Sequence, residues 1–124
     1  MPSKQKQKKN RAERRRKRVR KKIFGTPEKP RLCVYKSLNQ IYAQLVNDRD
    51  GRTLTGVSSL TPDIKSQIKP EDSKSAVSKK VGIFLATKAK ERGIAAVVFD
   101  RNRYPYHGRV KSLAEGVREG GIGF

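Results

Sequence analysis

The sequence is poor in the residues from which most catalytic sites, metal sites and disulfides are built. Its 124 residues include one Cys, one His and no Trp. Because Cys33 is alone, it excludes an internal disulfide and argues against a Cys-rich zinc site. The sequence also has no Walker motif, no Gly-x-Gly-x-x-Gly loop and no paired acidic motif. We therefore expect no cofactor, no metal and no catalytic residue.

Long apolar runs are missing as well. No stretch of about 18 apolar residues could span a bilayer, and residues 1–22 lack the apolar core of a secretory signal. The same segment lacks the large apolar face that membrane-surface helices bury. We expect no membrane partner. Cys33 lies in a short apolar run and is interpreted as a small strand residue, which fits a reducing intracellular compartment.

Acidic residues are scarce, whereas basic residues are abundant and unevenly placed. The chain has 31 Lys and Arg against 11 Asp and Glu, a formal charge of +20. Residues 1–22 contain 13 of those basic residues and only Glu13 on the acidic side. Such a chain repels itself unless a polyanion neutralises it, and RNA, DNA and an anionic membrane surface are the candidates. Several Lys or Arg that meet phosphates together give strong, salt-sensitive binding.

The charge distribution and a Pro/Gly-containing linker divide the chain into a basic arm, residues 1–24, and a compact domain, residues 25–124. The arm has good helix formers and no core-facing stripe. Repulsion predicts disorder in the free arm and a helical or ordered form against phosphates. A solvated tail or an import signal is the alternative. The predicted RNA-binding residues of the arm are Lys8, Lys9, Arg11, Arg14, Arg15, Arg16, Lys17, Arg18, Arg20, Lys21 and Lys22.

Periodicity in the domain predicts an α/β (α+β) fold with a single mixed sheet. Three strands with short connections indicate an antiparallel meander, and Asp50-Gly51 suits a tight hairpin turn. A loop over 61–70 leads to a helix that starts at Asp72 or Ser73 and ends near Gly93. Another strand and another helix follow, the strand being apolar enough to be covered on both faces. The predicted strands are 31–37, 41–48, 53–59 and 94–99.

The loop 100–109 is the densest polar and aromatic constellation in the domain. It leaves the carboxyl end of a strand and enters a helix, where sites on open α/β sheets usually lie. Its arginines can bind phosphates and its tyrosines can stack on bases or riboses. The RNA-binding residues predicted here are Arg101, Arg103, Tyr104, Tyr106, His107, Gly108 and Arg109.

The same loop allows an enzyme interpretation. Asp100 could orient His107 as a general base. A credible active site would also need a nucleophile, an oxyanion arrangement or a metal shell, and none is evident. His107 could instead make a hydrogen bond that fixes the loop. We predict that the chain is not an enzyme.

Strand residues complete the predicted interface. Aromatic rings on a sheet face can stack bases, although strand tyrosines more often pack against their neighbours. A DNA-compacting or general nucleic-acid protein remains an alternative at this point, because basic arms occur there too. The strand and hairpin residues predicted to bind RNA are Arg31, Tyr35, Lys36, Ser37 and Tyr42.

Several short runs, in this order, resemble the family of the bacterial-type large-subunit ribosomal protein L-eighteen. Each run alone is weak, whereas their joint order is highly specific, and the resemblance covers essentially the whole chain. The runs are Pro30-Arg31-Leu32, Lys36-Ser37, Ile41-Tyr42-Ala43-Gln44, Phe99-Asp100-Arg101, Tyr106-His107-Gly108-Arg109-Val110 and Arg118-Glu119-Gly120-Gly121, with the terminal Phe124.

The resemblance implies a structural subunit that binds 5S ribosomal RNA and helps to attach it to the large-subunit RNA in the central protuberance. It also implies a cytoplasmic ribosome, or an organelle's own, and a monomer with large-subunit protein L-five as a nearby partner. Two places depart from the family pattern. Arg103 stands where a small residue is common, with Pro105 close behind, and Leu38 and Gln40 replace more polar or basic residues. The backbone of the Arg103 loop is therefore expected to differ.

Overall fold

The order of strands and helices in the domain follows the one that periodicity predicts. A computed structural model describes residues 4–21 and 23–124. The elements are α1 (Lys4–Arg20), β1 (Arg31–Lys36), β2 (Ile41–Asn47), β3 (Arg52–Ser58), α2 (Pro62–Lys65), α3 (Lys74–Glu91), β4 (Val98–Asp100) and α4 (Gly108–Glu119).

The four strands form one mixed sheet in the order β3-β2-β1-β4. The first three strands pair antiparallel through short turns, and β4 pairs in parallel with β1. Gly51 adopts a φ of +66° in the β2–β3 turn, a conformation that glycine adopts without the cost of a Cβ clash. The predicted mixed sheet and hairpin turn are confirmed.

The alternation of buried and exposed side chains along β2 shows which face of the sheet the helices cover. Ile41, Ala43 and Leu45 are buried beneath α3, whereas Tyr42 and Gln44 point to the opposite face. The domain therefore has two layers, the sheet and a layer of helices. The second face of the sheet is open in the part of the chain that the structure describes.

Helices α3 and α4 approach each other closely because glycines face each other's backbone. A Cβ at Gly82 would lie 2.2 Å from the carbonyl oxygen of Leu113, and one at Gly116 would lie 2.3 Å from that of Lys79. The close packing expected at Gly82 is thus present. Ser73 is the cap of α3, since its hydroxyl accepts a hydrogen bond from the Ala76 amide at 3.1 Å.

Two predictions were wrong in detail. The apolar run 94–99 yields only the edge strand β4, which pairs with β1 alone over three residues. The amide of Ile94 instead bonds to Ala89, and that of Val97 to Gly123. An apolar run cannot by itself distinguish a strand from a buried irregular segment. The predicted loop 61–70 also contains the short helix α2, which begins with a proline.

Candidate nucleic-acid interface

Two tyrosines lie side by side on the open face of the sheet. Tyr35 of β1 is directly opposite Tyr42 of β2, and their ring centroids are 5.9 Å apart. Tyr35 is 51% exposed. The rings border a shallow concavity of about 430 Å³ whose floor includes Gln44 and Gly56. Flat rings beside a polar hollow can stack on an unpaired base and contact its edge.

A basic cluster lies beyond the end of β1 and is organised by Tyr104. Its hydroxyl accepts a hydrogen bond from the Lys36 amide at 3.1 Å and donates one to the Lys36 carbonyl at 3.2 Å. The Lys36 ammonium lies 5.2 Å from the centre of the Tyr104 ring, and the Arg103 guanidinium lies 5.5 Å from it. Arg101 donates to the Tyr104 carbonyl at 2.6 Å. Two cations thus lie near one ring, and a third bonds to the backbone of the same residue.

Burial changes the interpretation of Tyr104 itself. The residue is only 8% exposed, so its ring has little surface to offer a base. The expectation that Tyr104 stacks on RNA therefore does not fit its position, whereas a role in positioning Lys36, Arg101 and Arg103 does. The departure at Arg103 has a physical counterpart, because the preceding Asn102 has a φ of +61° and holds the turn through its side chain.

The end of the loop leads into α4. Gly108, with a φ of +59°, begins the helix, and His107 occupies the position before it. Arg109 donates to the carbonyls of Ser37 at 2.9 Å and Gln40 at 2.8 Å, which ties α4 to the β1–β2 turn. Tyr106 is 42% exposed and packs edge-on against the Phe99 ring. Helix α4 and the hairpin therefore keep a fixed relation to each other.

Arg31 is engaged within the protein by two carboxylates. It binds both oxygens of Asp48, at 3.0 and 3.2 Å, and one oxygen of Asp100 at 2.8 Å. Burial works against the charge on Arg31, but its hydrogen bonds to both carboxylates more than offset burial and raise the pKa of the guanidinium. Arg31 therefore orders the sheet rather than presenting a free guanidinium to phosphate.

This pairing also removes the basis of the catalytic alternative. Asp100 is 1% exposed and binds Arg31 and the Asn102 amide. His107 is exposed, and its side chain makes no hydrogen bond to any residue that the structure describes. Asp100 thus does not orient His107, and His107 does not fix the loop through its ring. No cluster of three His, Cys, Asp or Glu suited to a metal occurs within residues 4–21 and 23–124.

The arm contains helix α1. Of the expected forms, disordered or helical, the structure has the helical form. The arginines of α1 include an exposed row at helical spacing, which presents four guanidinium groups on one side. Lys8 and Lys9 lie within α1, although the structure does not describe their side chains. Lys22 lies outside the described residues. Arg16 and Lys17 are exposed on other sides of the helix, and Lys21 is exposed just after its last residue. The residues of the row are Arg11, Arg14, Arg15 and Arg18.

Two contributors were not foreseen. Asp48 joins Arg31 to the Gly25 amide, and Gln44 lines the hollow beside the tyrosines. The alternation of β2 predicts that Gln44 shares a face with Tyr42, but it does not mark Gln44 as a site residue. Nothing in the sequence points to Asp48, because its partners are 17 and 23 positions away. Among the described residues, no helix is both long and apolar enough to cross a bilayer.

Comparison with known proteins adds an independent observation to this geometry. The sequence model of a family described as ribosomal L18 of archaea, bacteria, mitochondria and chloroplast matches residues 6–124. The chain belongs to this family. It is similar to large ribosomal subunit protein uL18 of Caldicellulosiruptor saccharolyticus, with 56% identity over 110 residues, 89% of this chain and 88% of that protein. The uL18 of Thermotoga petrophila is 49% identical over 121 residues, 98% of each chain.

Membership of the ribosomal L18 family confirms the resemblance predicted from short runs. The chain is a structural protein of the large ribosomal subunit and not an enzyme. The chain is also similar to large ribosomal subunit protein uL18 of Acetivibrio thermocellus, with 56% identity over 111 residues, 90% of each chain. The matched region includes nearly all of α1, so the basic arm is a part of the family's sequence pattern.

Proposed function

We propose that this chain binds 5S ribosomal RNA and helps to attach it to the large-subunit RNA in the central protuberance. Large-subunit protein L-five is the proposed protein neighbour, and the chain acts as a monomer within the cytoplasmic ribosome. The observation that carries the proposal is that one chain exposes both basic and aromatic groups. These groups are the arginine row of α1, the tyrosine pair on the open sheet face and the cations that contact Tyr104.

Affinity comes mainly from phosphate contacts. The proposed phosphate ligands in the body are Lys36, Arg101 and Arg103, which all contact Tyr104 and so meet a phosphate group together. The arm adds its arginine row, whose concentrated charge gives binding that falls steeply with salt. Arg31 and Arg109 support these groups by holding the sheet and the hairpin in place.

Selectivity comes from shape and stacking on the open face. Tyr35 and Tyr42 are the proposed stacking residues, and the hollow beside them has room for part of a splayed base. His107 and Tyr106 extend the interface at the start of α4, where backbone N–H groups favour an anion. Ser37 and Gly108 allow close approach of the sugar-phosphate backbone at the two turns.

A salt titration of 5S RNA affinity tests the proposal. Deleting residues 1–22 should flatten the plot of log affinity against log salt by several units, because each lost phosphate contact is worth about 0.7–0.9. Competition tests selectivity in the same assay. If random duplex DNA displaces 5S RNA at equal phosphate concentration, the chain is a general nucleic-acid binder and the proposal fails.

A further inference from the structure

The segment that joins the arm to the body is fixed to the sheet by one carboxylate. The Gly25 amide donates to Asp48 Oδ2 at 2.7 Å, and the Asp48 amide donates back to the Gly25 carbonyl at 3.0 Å. Gly25 is buried so tightly that a Cβ would lie 2.3 Å from the Arg31 nitrogen. The chain therefore leaves the sheet at one place and in one direction.

The last residue of α1 meets the same carboxylate. Arg20 donates through Nη1 to the Ile23 carbonyl at 2.9 Å, and that nitrogen lies 3.6 Å from Asp48 Oδ2. Arg31 binds both oxygens of the same carboxylate. Asp48 thus contacts both a guanidinium of the arm and a guanidinium of the sheet.

We infer that Asp48 is a positioning residue for RNA binding, which directs the arm so that its arginines and the open sheet face engage one RNA together. The inference rests on the proposed function. Holding the root of the arm in the bound direction lowers the entropy lost when the arm is ordered on RNA. Asp48 contacts no phosphate in this role, since its own charge would repel one.

The Asp48 carboxylate is held in its charged form at neutral pH. Burial raises its pKa, but hydrogen bonds from Arg31 and the Gly25 amide, with the charges of Arg31 and Arg20, outweigh burial and lower it below the usual value. Such a carboxylate supplies its contacts at all pH values above the usual Asp range. The contacts are lost only as the pH falls through the lowered pKa.

A purely electrostatic effect and a loss of arm positioning predict opposite changes in RNA affinity for Asp48→Asn. The substitution removes a negative charge from a protein that binds a polyanion, so electrostatics alone predicts equal or tighter RNA binding. Loss of positioning predicts weaker binding, because asparagine lacks the charge that pairs with Arg20 and accepts less strongly from Arg31 and Gly25 than a carboxylate does. The sign of the change therefore discriminates between the two.

The test measures 5S RNA affinity of the full chain by filter binding at fixed salt. We expect Asp48→Asn to bind about 10-fold more weakly or worse, the effect of losing a charge-assisted hydrogen bond. Glu28→Gln is the matched control, because it makes the same change in charge in the linker that Asp48 anchors. Glu28 is exposed, and its side chain makes no ion pair or hydrogen bond to any described residue. Asp48→Asn affinity equal to that of Glu28→Gln would overturn the inference.

A second pair of variants keeps the test decisive even if Asp48→Asn folds poorly. Arg20→Lys retains the charge but loses the planar fork, and Arg18→Lys makes the same exchange at an exposed position two residues earlier. We expect Arg20→Lys to bind severalfold more weakly than Arg18→Lys. Equal affinities of the two would contradict a directed arm root.

A double-mutant cycle separates positioning of the arm from a general effect on the sheet. If Asp48 acts through Arg20, the chain with both substitutions should bind nearly as well as Asp48→Asn alone. If the losses of RNA affinity caused by Asp48→Asn and Arg20→Lys simply multiplied in the double variant, Asp48 would act elsewhere. That result would refute the inference. Failure of the proposed function is a distinct result: the unaltered chain would then show no preference for 5S RNA over unrelated transcripts.

Discussion

Helix α1 and the α3–α4 pair differ in the contacts that hold them in place. The pair is packed backbone to backbone at Gly82 and Gly116, with Leu85 and Leu113 buried between the helices and the sheet. Helix α1 has 17 residues, yet its row of arginines is exposed and its link to the body is the Arg20–Asp48 contact. The body is thus shaped by its own core, whereas the arm needs an external partner for its charges.

This difference separates two parts of RNA binding. Like charges four residues apart destabilise an isolated helix, so phosphates that neutralise the arginine row should stabilise α1. The body keeps Tyr35, Tyr42 and the Tyr104 cluster in fixed relation without RNA. A rigid surface can discriminate between RNA shapes, while the arm adds affinity that depends little on sequence.

Gly82→Val should have the largest effect on the body. The new Cβ would lie 2.2 Å from the Leu113 carbonyl oxygen and 3.0 Å from the Val117 nitrogen, both backbone atoms that cannot rotate away. Overpacking of this kind should lower the free energy of unfolding by more than about 3 kcal/mol. Thermal unfolding followed by circular dichroism measures it, with loss of 5S RNA selectivity as a consequence.

Gly56→Ala is the control for that experiment. Gly56 lies on the open face of β3, where an added Cβ would meet its nearest neighbour, Gln44, at 3.8 Å. The substitution should change the free energy of unfolding by less than about 1 kcal/mol. If Gly82→Val were equally mild, the close approach of α3 and α4 would not be what shapes the body.

The next largest effect is expected at the tyrosine pair. Replacing Tyr35 or Tyr42 by alanine should weaken 5S RNA binding by about 1–3 kcal/mol, the usual cost of removing one stacked base. The salt dependence should stay the same, since no phosphate contact is lost. Tyr35→Phe is the control, because it keeps the ring and should bind almost normally. A changed salt dependence would show that the open face acts through charge, as the arm does.

Much of the fold could be predicted because it depends on local patterns. The alternation in β2, the Asp50-Gly51 turn and the Ser73 cap each specify a strand, a turn or a helix start from a few neighbouring residues. The limits of β4 could not be predicted in this way. Whether the run 94–99 forms a ladder depends on Gly123, which bonds to Val97 from the distant end of the chain.

The candidate site was predictable in its residue types but not in the division of roles. Arginine and tyrosine on a basic chain indicate RNA binding wherever they lie. Only the folded chain shows that Arg31 is occupied by two carboxylates and that Tyr104 is buried behind Lys36. These partners are 17 to 69 positions away, beyond the reach of any periodicity.

Tyr104→Phe should have a smaller effect, about 1 kcal/mol on the free energy of unfolding. The substitution removes only the hydroxyl that bonds to both the amide and the carbonyl of Lys36. Binding of 5S RNA should weaken slightly while the ring still holds Lys36 and Arg103. Tyr106→Phe is the control, because the Tyr106 hydroxyl makes no hydrogen bond to a described residue. Equal stability of the two variants would contradict the positioning role of Tyr104.

The smallest effect on stability is expected from removing the arm, because the folding of the body should depend little on it. Removing residues 1–22 deletes Arg20, whose contact with Asp48 is partly exposed and worth at most about 1 kcal/mol. Thermal unfolding of the shortened chain should therefore nearly coincide with that of the full chain, although its RNA affinity falls steeply. A large loss of stability would mean that α1 is a part of the core. The contrast between an arm held by RNA and a body held by its own packing would then be wrong.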